Sequence, residues 1–122
     1  EIADYVIIDC MSDNEELISM LAKREADVVI QSVTPDLKCM TYFASNGDAY
    51  LGCSDNTVIV MNTNEKELYL PFDEVRTHFK KVQYVLPYSI ALKQQTITGT
   101  LSERLADRKY REVISKLAKA VI

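Results

Sequence analysis

Short apolar runs alternate with amphipathic stretches along the 122-residue chain. An apolar run without polar alternation is typical of a strand that is covered on both faces, as in a parallel sheet. Between these runs, apolar residues recur at helical spacing. The pattern therefore predicts an α/β fold, with a parallel sheet of about four to five strands flanked by helices. The predicted strands are Tyr5–Asp9, Asp27–Val33, Thr57–Met61 and Gln83–Leu86, with Ala49–Cys53 as a candidate short edge strand.

Capping residues mark the expected helix starts. Ser12 and Glu15 match the capping box, in which the two side chains satisfy each other's backbone amides. Thr34 before Pro35 predicts another start, because proline suits the first helical position. Ser102 is expected to cap the last helix. The apolar face of that helix would comprise Ala106, Tyr110, Val113, Ile114, Leu117 and Val121.

Composition places the chain among ordinary globular domains. It is 48% hydrophobic and 26% charged, and residues 1–122 show no linker or repeat, so we predict one domain. The net charge of −4 argues against a chain-wide nucleic-acid surface. No apolar run approaches the roughly 20 residues of a membrane span. The three cysteines lack CxxC spacing, which favours free thiols and a cytoplasmic protein.

Polar residues follow the predicted strands where ligand sites of α/β proteins form. Asp9 ends the first strand, Thr34–Asp36 follows the second, Asn62 ends the third and Pro87–Ser89 follows the last. Taken singly, each has a simpler explanation, because Asp and Asn are common cap and turn residues. Their order along the chain is the more specific signal.

Taken in order, these segments resemble the carboxyl-terminal half of the ParA/MinD family of deviant-Walker P-loop ATPases, including its TadZ/CpaE branch. The opening segment is similar to the family's second acidic motif, and the next to its strand ending in Thr-Pro-Asp. The third is similar to the strand whose Asn reads adenine, and the fourth to a late motif that borders the base. The segments are Asp4–Asp9, Ala26–Asp36, Val58–Asn62 and Tyr84–Ser89.

The resemblance implies a role for four residues. Asp9 would be the catalytic acid beside Mg²⁺, through water, at the γ-phosphate end. Asn62 would hydrogen-bond the adenine edge, and Pro87 and Tyr88 would line the base pocket. The chemistry suits these side chains, because an amide offers both a donor and an acceptor and a carboxylate suits Mg²⁺.

One departure from the family changes the expected activity. The Gly-rich loop with its lysine is absent, and the only glycines are Gly47, Gly52 and Gly99. ATP and Mg²⁺ are therefore cofactors expected of a longer parent protein, and this chain alone should neither bind them tightly nor hydrolyse ATP. In the family the loop's strand lies beside the first strand seen here. Its absence would leave an apolar edge unpaired and favour a dimer or higher oligomer.

The resemblance also implies a cellular role for the parent protein. Such a switch positions cargo, such as a plasmid or chromosome, a pilus or secretion machine, or a division site, through a partner protein. Family members of the partition type bind DNA through carboxyl-terminal basic residues, which here would be Arg104, Arg108 and Arg111. The alternative for these arginines is a solvated helix face beside acidic residues.

A second interpretation is a non-enzymatic α/β module. Asp9 at a strand end occupies the place of a phospho-acceptor in a receiver domain, although a receiver needs further acids on an earlier strand. A degenerate ATPase that serves as a scaffold is the other form of this interpretation. Residues Cys10–Asp13 depart from the family's switch sequence.

Overall fold

The computed structural model describes residues 3–10, 16–42, 55–63, 65–66, 73–74, 77 and 82–122. Three helices with defined ends are α1 (Leu17–Glu25), α2 (Ile90–Thr98) and α3 (Arg108–Val121). Three strands are β1 (Val29–Val33), β2 (Thr57–Asn62) and β3 (Val82–Leu86). Residues 37–42 are also helical. No described helix is both long enough and apolar enough to cross a bilayer.

The three strands form one parallel sheet in the order β1-β2-β3. Val29 aligns with Thr57 and Val33 with Met61, so β1 and β2 pair over the whole of β1. Parallel strands need crossover connections, and the helical segment 37–42 lies in the connection between β1 and β2. The α/β class with a parallel sheet is confirmed for the described residues, which contain three of the predicted strands. Ala49–Cys53 lies outside the described residues.

The strand predicted at Tyr5–Asp9 is not formed. Residues 5–9 carry no regular secondary structure and all of them are exposed. The exposed fractions of Tyr5, Val6, Ile7 and Ile8 range from 59% to 95%. An apolar run shows that a segment suits a strand, but the strand exists only where a neighbour supplies hydrogen bonds. Asp9 therefore does not lie at the end of a strand.

A bulge interrupts the pairing of β2 with β3. Ile59 aligns with Val82 and Val60 with Tyr84, so Gln83 is the extra residue. The Gln83 side-chain oxygen accepts a hydrogen bond of 2.8 Å from the Ile59 amide. The bulge leaves the buried Ile59 amide without a backbone acceptor on β3, and the Gln83 side chain takes the place of that acceptor.

Two apolar clusters cover the two faces of the sheet. On one face, Val33, Ile59 and Met61 pack against Cys39 and Met40 of the helical segment 37–42. On the other face, α3 packs on β2 and β3, because Leu117 joins Val60 and Leu86. Tyr110, Val113 and Val121 of α3 pack around that second cluster. The arrangement has three layers, with the sheet in the middle.

Helix caps differ from the predicted ones. The Asp36 carboxylate accepts from the Cys39 amide at 2.8 Å, so Asp36, not Thr34, caps the segment 37–42. Thr34 instead donates its hydroxyl to Asp36 at 2.5 Å. Asp107, not Ser102, caps α3. In both cases a carboxylate lies closer to the first turn than the predicted hydroxyl, and only the nearer oxygen reaches the third amide.

The start of α1 is also displaced. Glu16 caps it, accepting from the Ser19 amide at 3.0 Å. The predicted cap pair, Ser12 and Glu15, lies outside the described residues. Gly99 ends α2 in the left-handed conformation, with φ of 72°. Glycine suits this position because it has no Cβ to clash there.

Candidate functional site

The carboxyl ends of the three strands meet at one edge of the sheet, here called the carboxyl edge. Asn62 ends the central strand, and its register partner is Leu86. The Thr63 amide donates to the Leu86 carbonyl at 3.0 Å, which holds the two chain exits together. Pro87 directly follows Leu86. The structure therefore brings Asn62, Pro87 and Tyr88 to neighbouring positions, as the strand order predicted.

Asn62 is half-buried in the middle of this edge. Within the described part of the chain, no hydrogen bond engages its side-chain amide, a group that can both donate and accept a hydrogen bond. Pro87 and Tyr88 are half-buried as well. Together the three residues offer an amide, a proline ring and an aromatic ring at one place, a mixture typical of small-molecule sites.

The loop after β3 leads straight into α2. Ser89 caps α2, since its Oγ accepts from the Leu92 amide at 3.2 Å. Ser89 is only 7% exposed, although its residue type is usually found at the surface. The same hydroxyl interacts with the Asp107 carboxylate. Two helix starts, those of α2 and α3, are thereby joined beside the carboxyl edge.

Asp107 is held in its charged form by the start of α3. The Tyr110 amide donates to its carboxylate at 3.0 Å. This backbone hydrogen bond, with a smaller contribution from the Ser89 hydroxyl, lowers the pKa of Asp107 below its usual value. The pKa of Tyr110 is raised, mainly by burial and also by the negative charge of Asp107. The negative charge of Asp107 therefore stabilises the start of α3.

Asp36 has a comparable role at the end of β1. Partial burial alone would raise the pKa of its carboxyl, but hydrogen bonds from Thr34 and from the Cys39 amide outweigh that effect, and the pKa is lowered. Asp36 is thus engaged in capping the segment 37–42. The sequence placed it correctly at the carboxyl edge, while its role there is structural.

Asp9 does not join these residues in the described contacts. It lies in the irregular segment 3–10 and is exposed. No hydrogen bond or ion pair among the described residues connects it to Asn62, Pro87 or Tyr88. Its role beside Mg²⁺ stays a prediction that depends on the resemblance. Among the described residues, no three His, Cys, Asp or Glu side chains are grouped so that they could hold a metal ion.

The three arginines considered for DNA contact do not all lie in α3. Arg104 precedes the helix, which begins at Arg108. Arg108 donates to Glu112 at 2.8 Å, one helical turn along. Arg111 is half-buried, and its Nε is shielded from solvent without a described hydrogen-bond partner. Because α3 begins at Arg108 and not next to Ser102, Arg104 does not share a helix face with Arg108 and Arg111.

Two features of this region were missed from the sequence. The Asp107 cap could be predicted from the sequence, because Asp is a preferred N-cap residue and Asp107 stands three positions before Tyr110, whose amide it accepts. The link between Ser89 and Asp107 has no local signal, because the two residues are far apart along the chain.

Cys10 and Cys39 are free cysteines, and Cys53 and His78 lie outside the described residues.

Comparison of the chain with protein families, with curated proteins and with solved structures gives no match.

Proposed function

We propose that this chain is the base-binding, carboxyl-terminal part of a ParA/MinD-like nucleotide switch. The observation that carries the proposal is the position of Asn62 beside Pro87 and Tyr88 at the carboxyl edge of a parallel sheet. Ligands of open α/β sheets bind outside the carboxyl ends of the strands. In this proposal the complete fold has four to five strands and the P-loop architecture.

Asn62 is the residue that gives the site its selectivity. Its amide can accept a hydrogen bond from the adenine amino group and donate one to a ring nitrogen. Guanine carries a carbonyl in place of that amino group, so the same amide orientation does not suit it. Pro87 and Tyr88 supply apolar surface for the flat base.

The residues present fit the base and not the triphosphate. The chain contains no Gly-rich loop with a lysine, and backbone amides of such a loop are what usually hold the phosphates. When bound in the parent, Mg²⁺ would neutralise phosphate charge. We assign phosphate binding to another segment of the parent, and this chain alone does not hydrolyse ATP.

In the parent the switch would act in the cytoplasm to position cargo through a partner protein, and it would self-associate. The cargo class is that of the resemblance: a plasmid or chromosome, a pilus or secretion machine, or a division site. Direct DNA contact through Arg104, Arg108 and Arg111 would require Arg108 to leave its ion pair with Glu112.

Titration of the isolated chain with adenosine, followed by amide chemical shifts, tests the base site. Adenosine lacks phosphates, so the experiment does not depend on the missing loop. We expect dissociation constants in the millimolar range, about −4 kcal/mol, with shifts at Asn62, Tyr88 and Ser89. Asn62→Asp should abolish these shifts, because it removes the amide donor. Gln94→Ala, on the exposed side of α2, is the matched control and should bind as the unchanged chain does.

Two results would contradict the proposal. Equal shifts with adenosine and guanosine would show that Asn62 does not select the base. Sub-micromolar binding of Mg-ATP to this chain would show that the phosphate loop is not needed.

The receiver-like alternative has no observation in its favour, since it requires Asp9 at the end of a strand and residues 5–9 form none. A degenerate ATPase used as a scaffold would share the fold but bind no nucleoside. The absence of adenosine-induced shifts would favour that alternative.

A further inference from the structure

The short turn after β3, residues 87–89, is held at both of its ends. Leu86, just before it, is 9% exposed and packs with α3 in the second apolar cluster. Ser89, at its other end, is 7% exposed. Pro87 and Tyr88 lie between these two buried residues and are half-buried themselves. The turn is therefore anchored on both sides of the residues that line the carboxyl edge.

Helix α3 provides both anchors. Tyr110, in its first turn, packs against the cluster that contains Leu86. Its N-cap, Asp107, interacts with the Ser89 hydroxyl. Because the Tyr110 amide donates to Asp107 at 3.0 Å, the two anchors belong to one turn of helix. A shift of that turn would move both ends of the segment 87–89.

The hydrogen-bonding capacity of the two polar side chains permits this arrangement. Oδ1 of Asp107 accepts the Tyr110 amide, and a carboxylate has further lone pairs for a second donor. Oγ of Ser89 accepts the Leu92 amide at 3.2 Å, which uses a lone pair and not the O–H. Ser89 can therefore donate to Asp107 while each residue keeps the cap of its own helix.

We propose that Asp107 is a positioning residue for the base-binding site, because it fixes the turn 87–89 through Ser89. This role rests on the proposed function and adds a regulatory property to it. Asp107 would touch no ligand, but lining residues such as Pro87 and Tyr88 need support that holds them to within about 0.5 Å. Coupling between two sites acts in both directions, so a nucleoside at the carboxyl edge should in turn steady the first turn of α3.

Two variants make the same chemical change at different places near the start of α3. Asp107→Asn keeps the cap of α3, since asparagine is about as good an N-cap, but it has one oxygen instead of two. With that oxygen on the Tyr110 amide, the side chain offers an N–H donor where the Ser89 hydroxyl needs an acceptor. Glu112→Gln also replaces a carboxylate by an amide, and Glu112 pairs with Arg108, so it is the matched control.

Amide chemical shifts and hydrogen exchange of the ligand-free proteins give the first readout. Asp107→Asn should shift the Tyr88 amide and speed exchange of the Leu92 amide at least about threefold, while the Tyr110 amide stays protected. Ser89→Ala should act in the reverse direction and shift the Tyr110 amide. Glu112→Gln should leave the Tyr88 and Leu92 amides unchanged. A residue that only capped α3 would not affect either of them.

Titration with adenosine gives the second readout. Asp107→Asn should weaken adenosine binding about fivefold, the effect of losing one hydrogen bond. Glu112→Gln should bind adenosine as the unchanged chain does. Adenosine should also slow exchange of the Tyr110 amide in the unchanged chain, and this slowing should be absent in Asp107→Asn.

Two results would overturn the positioning role. The Tyr88 and Leu92 amides would be unaffected by Asp107→Asn, or adenosine affinity would respond to Asp107→Asn no more than to Glu112→Gln. Failure of the proposed function is a separate result, in which the unchanged chain shows no adenosine-induced shifts. In that case the reciprocal shifts of the ligand-free proteins would still support or overturn the control of the turn 87–89 by Asp107.

Discussion

Asp107 combines two contacts in one carboxylate. It accepts the Tyr110 amide at the start of α3 and interacts with the Ser89 hydroxyl, which itself caps α2. A carboxylate is the better acceptor for an amide at a helix start, because its charge also meets the positive end of the helix dipole. The charge state of one residue therefore affects the starts of two helices.

This contact makes stability depend on pH in a defined direction. The pKa of Asp107 is lower in the folded chain than its ordinary value. Its charge thus stabilises the fold fully above the unfolded pKa of about 3.9 and loses that effect as pH falls through the lower folded pKa. We expect the unchanged chain to be more stable than Asp107→Asn near neutral pH, with the difference vanishing in acid.

Urea unfolding of both proteins across this pH range checks the prediction. Asparagine is a suitable comparison because it caps helices about as well as aspartate without the charge. A difference in unfolding free energy that is constant with pH would contradict the assigned role of the charge.

At the scale of elements, the sequence predicted what depends on local composition. Strands β1, β2 and β3 are confirmed because each is an apolar run long enough to lie within the sheet. Tyr5–Asp9 has the same composition but forms no strand, since pairing depends on a neighbour that composition does not reveal. Cap residues were misplaced for a related reason: several Ser, Thr and Asp lie close together, and only the backbone path decides which one reaches the amide.

The candidate site was predictable to a similar degree. Parallel strand order alone places Asn62 and Pro87 at one edge, because all strands end on the same side. Asp9 was not placed there, since its position depended on a strand that is not formed. The link from Ser89 to Asp107 depends on tertiary packing, and no local pattern contains it.

The bulge between β2 and β3 depends on one side chain. Gln83→Ala removes the oxygen that accepts the Ile59 amide and leaves a donor of a buried residue without its partner. We expect a loss of about 1 kcal/mol in the free energy of unfolding. Gln83→Glu keeps an oxygen in reach and should lose less. Urea titration of the three proteins measures the difference, and equal stabilities would show that the bulge does not need this contact.

At the scale of the molecule, stability depends on the small apolar core that the described residues form. Met61 is fully buried in the central strand, and Val33 and Ile59 pack beside it. A typical domain is stable by only about 5–15 kcal/mol, so a single cavity in this core is a large fraction of the whole.

Met61→Ala should therefore lower the free energy of unfolding by about 2–5 kcal/mol. Ile97→Ala removes a comparable apolar side chain from a residue that is 78% exposed, and should change it by less than about 0.5 kcal/mol. Thermal or urea unfolding separates the two. Similar losses for both variants would mean that α2 is buried in solution and that the core is larger than described.

The position of α3 has a consequence for synthesis of the protein. One face of the sheet is covered by α3, whose residues come last among those described, and Leu117 lies close to its end. A ribosome adds residues at about 5–20 per second, so β3 waits on the order of seconds before that helix is complete. During this interval Val60 and Leu86 have no cover, and the nascent chain offers chaperones an apolar surface that the finished protein does not.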